Sequence, residues 1–173
     1  MQLYVERGFE QTTVAEIAKR AGLTARTFFR YFADKREVLF AGSVDLQANV
    51  VRALEEAPES ASPMRAVAAA LDAAGSALGQ YPDHSRLRQS VINANPELQE
   101  RELIKLAKMA AALAAGLRRR GVPEPDASLA AQTGIVVLRV AFEQWVDDPD
   151  SADLPQIMRE SLDRLQTITT PEP

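Results

Sequence analysis

Cysteine is absent from the 173 residues, which excludes disulfide frameworks, thiolate zinc sites and cysteine nucleophiles together. Histidine occurs once, as His84, leaving no second imidazole for a metal site and no base for a Ser–His triad. Glycine (8) and proline (10) are too few for a collagen-like or low-complexity chain. No run of about eighteen residues is both apolar and uncharged. The N-terminus lacks the basic start, apolar run and small-residue cleavage site of a secretory signal. The expectation is a soluble cytoplasmic protein that needs no cofactor or metal and has no membrane partner.

What is present is ordinary globular material: 46% apolar and 25% charged residues, enough for one large domain or two small ones. The charge is unevenly placed. Residues 1–41 hold seven of the 20 basic and five of the 24 acidic residues, leaving 13 and 19 for the rest. A weakly basic head therefore sits on an acidic body within a net charge of −4, which argues against a protein that coats nucleic acid with its whole surface. Charge alone assigns no partner.

Helix starts are legible from their caps. Thr13-Val14-Ala15-Glu16 has the form of a capping box, in which hydroxyl and carboxylate satisfy backbone N–H groups reciprocally. Asp34 heads a similar acidic start. Ser62-Pro63 and Asn95-Pro96 each set a capping side chain before a proline at the first helical position, and Asp126 and Asp153 are further candidates. Gly8, Gly22, Pro58, Tyr81-Pro82-Asp83, Gly121 and Pro149 read as stops. Between these marks the pattern predicts nine helices, near 1–8, 13–21, 24–31, 35–56, 63–80, 84–93, 96–120, 127–147 and 153–169, and no strand. The stretch EEAPESAS at 55–62 reads as a connector and 171–173 as a frayed end. The fold class is all-α: a three-helix helix-turn-helix domain at 1–41, then a larger helical domain at 42–170.

The informative segment is TVAEIAKRAGLTARTFFRYFADK, residues 13–35. Ile17 and Ala21 share one face of the first short helix, and Ala18 is small where a second helix would cross. Gly22 can take the positive φ of a tight turn, and Leu23 is read as the plug of the corner. Phe28 and Phe32 form the inward face of the second helix, aided by Val14. Ala25, Arg26, Phe29 and Arg30 then face outward, with Thr27 and Tyr31 at the edges. Arg can donate bidentately to guanine, while Thr and Phe can meet phosphate or a thymine methyl. Thr12 and Thr13 at one helix start and Lys35 at another suit phosphate oxygens. A plain helical hairpin with a solvated cationic face fits the same pattern, so the residues leave both readings open.

The run ERGFEQTTVAEIAKRAGLTARTFFRYFADKREVLF resembles the N-terminal domain of the TetR/AcrR family of bacterial transcriptional regulators. Residues 3–40 carry the likeness, through Gly8-Phe9, Thr12-Thr13, Ile17-Ala18, Ala21-Gly22, Thr27-Phe28, Tyr31-Phe32 and Lys35. The resemblance implies an all-helical homodimer with a DNA-reading head and an effector-binding, dimerising body. By position it implies DNA contacts from Thr12, Thr13, Thr24, Ala25 and Arg26. It implies others from Thr27, Phe29, Arg30, Tyr31 and Lys35, with Phe28 and Phe32 buried. Family members usually carry ten or more residues ahead of the segment matching Leu3-Tyr4-Val5. Here Met1 falls inside the first helix, so a shortened helix that supports the head less well is expected.

The body resembles the family in layout. Helix 127–147 contains GIVVLRVAFEQWV, apolar around most of its circumference, and helix 153–169 carries a stripe of Leu154, Met158, Leu162 and Leu165 beside Ile157. Such faces serve a monomer core or a partner. The resemblance implies that these last two helices pair with those of a second subunit as a four-helix bundle. That assigns Ile135, Leu138, Trp145, Leu154, Met158, Leu162 and Leu165 to a subunit interface. Two recognition helices related by a two-fold axis would read a pseudo-palindrome with half-sites a DNA turn or more apart.

Helix 96–120 includes AKMAAALAAGL, small side chains that allow close packing or a cavity. Leu71, Leu78, Val91, Met109, Leu113, Leu117 and Phe142 would line a pocket for an apolar effector, and they fit a plain core equally. Arg139 either binds an acidic group of that effector or pairs with Glu143 one turn away. His84, Asn93 and Asn95 read as caps, and Arg118-Arg119-Arg120 as a helix C-terminus favoured by the dipole. The segment RLRQSVINANPELQERELIKLAKMAAALAAGLRRRGV is similar to an actinobacterial branch of the family that includes mycofactocin-system regulators, which implies acyl-CoA-like effectors. The leading expectation is a ligand-responsive regulator, a repressor, acting on a double-stranded DNA operator. The alternative is a helical protein–protein adaptor of the same fold that does not bind DNA. No Gly-rich phosphate loop, carboxylate pair or triad supports an enzyme.

Overall fold

Hydroxyl and carboxylate caps begin four of the α-helices in a computed structural model of the chain, which describes residues 1–148, 150 and 153–170. Thr13 and Glu16 form the reciprocal capping box of α2 (Val14–Arg20), after α1 (Gln2–Arg7). Thr24 Oγ1 accepts from the Thr27 amide to start α3 (Ala25–Tyr31), and Ser62 caps α5 (Pro63–Gly79). Asp153 accepts from the Gln156 amide at 2.9 Å to start α9 (Leu154–Thr169). Between these lie α4 (Ser43–Glu55), α6 (Pro82–Asn93), α7 (Pro96–Arg119) and α8 (Glu124–Asp147). No strand occurs among the described residues. Pro149, read as a stop, and residues 171–173, read as frayed, lie outside them.

Four helix boundaries differ from expectation. The single helix expected at 35–56 is a 3-10 turn (Lys35–Val38) followed by α4, because Gly42 adopts φ +82° and breaks the run. Asn95 does not cap α7; its Nδ2 donates to the Val91 carbonyl at 2.7 Å and closes the end of α6 instead. Asp126 lies within the first turn of α8 rather than at its cap, and Pro82 opens α6 rather than ending a helix.

The body core forms around α5, which packs against α4, α8 and α9, while α7 closes on α4 and α8. Two approaches are close enough to require glycine. A Cβ on Gly134 of α8 would lie 2.6 Å from Val67 Cγ1, and one on Gly75 of α5 would lie 3.0 Å from the Pro155 backbone. A second core joins head to body: Tyr4, Phe9, Leu39 and Phe40 meet Val91, Ile92 and Leu98 of α6 and α7. Ile92 and Leu98 are fully buried there, each contributing about 1.5–3 kcal/mol by its burial. The head is thus docked on the body rather than tethered to it.

Ile135, Leu138, Trp145, Leu154, Met158 and Leu162, expected at a subunit interface, are buried inside the single chain, and Leu165 is half-buried on the same core. α5 lies across both helices and occupies the stripe expected for a partner. The apolar residues that α8 leaves exposed are Leu129, Val136 (55%) and Val140 (52%).

The arginine triplet does more than end a helix. Arg120 forks onto the carbonyls of Glu55, Ala57 and Pro58 at 3.0, 2.8 and 2.6 Å, and Arg119 pairs with Glu55. The Glu55 carbonyl is one that α4 leaves unsatisfied at its C-terminus, and the Ala57 and Pro58 carbonyls belong to the connector that follows. Arg120→Ala should cost about 1–2 kcal/mol in thermal unfolding, and Arg120→Lys should recover only part, since an ammonium cannot fork. A melting temperature unchanged in both variants would contradict the clamp.

Candidate nucleic-acid interface

The α2–α3 pair is built on small side chains and one ring. Ala18 and Phe28 are buried where the helices cross, and Phe28 meets Phe32 and Phe29 at ring separations of 5.3 and 5.5 Å. Gly22 takes φ +69° at the turn. Ala21 and Leu23 are exposed, so the inward face centres on Ala18 and the turn needs no apolar plug. The Leu23 amide instead donates to the Ala18 carbonyl at 2.8 Å.

This packing turns the other side of α3 to solvent. Thr24, Ala25, Arg26, Phe29, Arg30 and Tyr31 are exposed and Thr27 is half-buried. Arg30 donates to the Tyr31 hydroxyl at 2.9 Å and stacks on its ring, which holds the guanidinium at the surface. Arg26 makes no hydrogen bond or ion pair with another described residue. Arg7, Arg20 and Arg36 pair with Glu16, Glu6 and Asp34, so three of the head's five carboxylates are paired with cations outside α3. α3 itself carries no acidic residue, so its outer face is cationic and acid-free.

Three expected phosphate contacts are placed differently. Thr12 is only 1% exposed, and its hydroxyl donates to the Leu3 and Gly8 carbonyls, so it ties α1 to α2 and cannot reach DNA. Lys35 is half-buried, donates to the Phe9 and Glu10 carbonyls at 2.9 and 3.1 Å and lies over the Phe9 ring. It braces the loop before α2. Thr13 is exposed, but its amide and hydroxyl both donate to Glu16. Those two bonds hold the Glu16 carboxyl below the ordinary glutamate range.

Behind the head, α4, α5, α6, α7 and α8 line a half-open cavity of about 940 Å³, within the range that accepts a small-molecule ligand. Leu78, Met109, Arg139 and Phe142 line it, as expected. Leu71, Val91, Leu113 and Leu117 do not; they are buried against other helices as core. Arg139 is exposed at the cavity rim and lies 3.8 Å from Glu143, the anticipated pair. His84 also lines the cavity, and Asn93 accepts from Gln89 rather than capping.

The sequence reading missed the polar end of this cavity. Arg88 donates to the Leu39 carbonyl at 2.7 Å and to Glu102 at 3.1 Å, and lies over the Phe40 ring. Burial lowers its pKa, against the pull of Glu102. Lys105 donates to Glu37 at 2.9 Å, and Arg101 to the same carboxylate at 2.6 Å. Arg101 and Lys105, one turn apart on α7, were the available signal. Burial pushes Glu37 up, yet the bonds from Lys105 and Arg101 outweigh it and hold the carboxyl below the ordinary range. The stability from this contact is complete above the ordinary glutamate value and is lost as pH falls through the lowered one. Urea unfolding at neutral and at acid pH should therefore show a smaller acid loss in Glu37→Gln than in wild type. Equal losses would remove Glu37 from the acid response.

Residues 1–41 match the family described as bacterial regulatory proteins, tetR family, and residues 61–170 match the MftR C-terminal domain. The HTH-type transcriptional regulator TcmR of Streptomyces glaucescens is 36% identical over 73 residues, 42% of this chain and 32% of that protein. The alignment thus spans about a third of TcmR. A candidate mycofactocin biosynthesis transcriptional regulator, MftR of Mycobacterium tuberculosis, is 28% identical over 166 residues, 94% of this chain and 83% of that one. The fold is that of the Thermus thermophilus FadR repressor bound to lauroyl-CoA, with TM-score 0.61, 24% identity and coverage of 100% and 92% of the two chains. FadR of Bacillus subtilis bound to stearoyl-CoA gives 0.60 and 23%, covering 95% and 92%.

Proposed function

This chain belongs to the tetR family of bacterial regulatory proteins, and on that footing we propose that it is a ligand-responsive transcriptional repressor. It binds a pseudo-palindromic DNA operator as a homodimer in the cytoplasm and is released by a small effector. The observation that carries this reading is the acid-free outer face of α3, where Arg26 and Arg30 project with Phe29 and Tyr31 from a buried Phe28. An α-helix fits the major groove, where guanidinium groups find guanine edges. Thr24, Ala25 and Thr27 at its N-terminus lie beside them, as a helix entering end-first requires.

The effector is an amphipathic anion of the acyl-CoA kind. Leu46, Leu78, Leu106, Met109, Leu138 and Phe142 supply apolar walls, while Arg88 and Lys105 supply positive charge at one end. The two FadR structures hold ligands of this class. Among the described residues no helix is long and apolar enough to cross a membrane.

An unbiased selection from random duplexes tests the reading; enrichment of a two-fold symmetric site is expected. If no sequence is enriched, the adaptor alternative replaces it. The subunit contact is assigned to Leu129, Val136 and Val140 of α8, because large apolar side chains in a row on a helix favour a partner. Val136→Glu with Val140→Glu should convert dimer to monomer in sedimentation. An unchanged dimer would move the interface elsewhere.

A further inference from the structure

The residues that form the polar end of the cavity are also those that hold the head. Lys105 stands in the cavity wall, yet its ammonium reaches Glu37 of the 3-10 turn and the Ser43 hydroxyl at the start of α4. Arg88 stands beside it, with its Nε on the Leu39 carbonyl and its guanidinium on Glu102. Phe40 lies under both cations, at 5.0 Å from Arg88 and 5.6 Å from Lys105. Three sites of the head's last turn, at 37, 39 and 40, thus rest on two cavity cations.

We propose that Lys105 and Arg88 form an anion subsite shared between effector and head, in which the acidic group of an effector takes Lys105 from Glu37 and Arg88 from the Leu39 carbonyl. This rests on the cavity being the effector site. Exchange is feasible because no charge is stranded by it. Glu37 keeps Arg101, and Glu102 keeps the Arg88 Nη1 at 3.1 Å while the Arg88 Nε leaves the Leu39 carbonyl. The head–body contact is weakened rather than broken. A ligand shifts an equilibrium only by preferring one of its states, and this ligand's preference is for cations released from the head. A neutral ligand of equal length would fill the apolar walls and leave the contact intact.

Reciprocity supplies the test. If Glu37 competes with the ligand for Lys105, removing its charge must tighten binding of acidic ligands alone. The probes are lauroyl-CoA and laurate, with phosphate or carboxylate charge, and dodecanol, which has none. Binding is read from the fluorescence of Trp145, the single tryptophan, which packs on the cavity residue Phe142. Glu37→Gln should bind at least one anionic probe about fivefold or more tighter than wild type and bind dodecanol equally. In wild type the bound anion should speed hydrogen exchange at the Leu39 and Phe40 amides, which close the 3-10 turn onto Arg36 and Glu37. Dodecanol should not. Lys105→Met, which leaves the head's own residues intact, should erase the preference for laurate over dodecanol.

Unchanged or weaker anion binding by Glu37→Gln overturns the proposal, as does equal acceleration of exchange by dodecanol. If dodecanol and the anions bind alike with no change in exchange, the shared subsite falls and the cavity remains the effector site. If no probe alters Trp145 fluorescence, the cavity assignment falls and the subsite with it.

Discussion

Replacing Arg26 and Arg30 together by Ala is expected to weaken binding to the selected operator by between roughly 30-fold and roughly 10⁴-fold. Each guanidinium that donates bidentately to a guanine is worth about 1–3 kcal/mol of discrimination, and a factor of ten corresponds to about 1.4 kcal/mol. Both side chains are exposed and neither touches the core, so the folded head should survive. Melting temperature and helical circular dichroism should match wild type while the mobility-shift titration moves. The single variants should also relax preference at different base pairs, because the two residues lie four apart and contact successive positions. Operator affinity within about twofold of wild type in the double variant would remove the α3 face from DNA recognition. Phe28→Ala is the opposite case: it should unfold the head before it can report on binding, since Phe28 is the buried ring on which the face is mounted.

The second large effect lies in the body. Gly134→Ala should lower stability by about 1–3 kcal/mol and the melting temperature by roughly 2–10 °C. The added carbon would overlap Val67 Cγ1 at 2.6 Å, and Val67 has no exposed surface toward which to move. Helix propensity works the other way, favouring Ala over Gly by about 1 kcal/mol, so the sign of the result decides whether contact or backbone entropy dominates. A double-mutant cycle isolates the contact. Val67→Ala alone leaves a void, but combined with Gly134→Ala the new methyl fills it. The double variant should be more stable than the sum of the two single losses. A stabilised Gly134→Ala would show that α5 and α8 can part at no cost.

The features read correctly from sequence are those set by neighbours in the chain. Thr13, Ser62 and Asp153 accept from amides three residues on, so their caps are local facts. The Gly22 turn and the Phe28 ring are likewise fixed within one short segment. Gly42 was missed because it sits inside an otherwise regular amphipathic run, and its φ follows from how α4 docks on α5 and α7. Thr12 and Thr13 are identical in chemistry, and a turn of the backbone by one residue sends one hydroxyl inward and the other out.

The stripes of α8 and α9 were legible as buried faces. Periodicity says that a side is covered and says nothing of whose atoms cover it. For the same reason Leu71 and Leu78 looked alike, although one meets other helices and the other meets a cavity. Glu37 and Lys105 are 68 residues apart, and no local pattern announces such a pair.

The grip of Arg120 on the last carbonyl of α4 and on the connector beyond it fixes a fulcrum. With Glu55, Ala57 and Pro58 held, a displacement of α4 would tilt it about this end rather than slide it. Its 13 residues make a lever arm of about 20 Å at 1.5 Å per residue, so a tilt of about 5° carries the far end by nearly ~2 Å. That far end is Gly42, where the chain passes into the head at positive φ, so a small push from the cavity wall would reach the head as travel of that size.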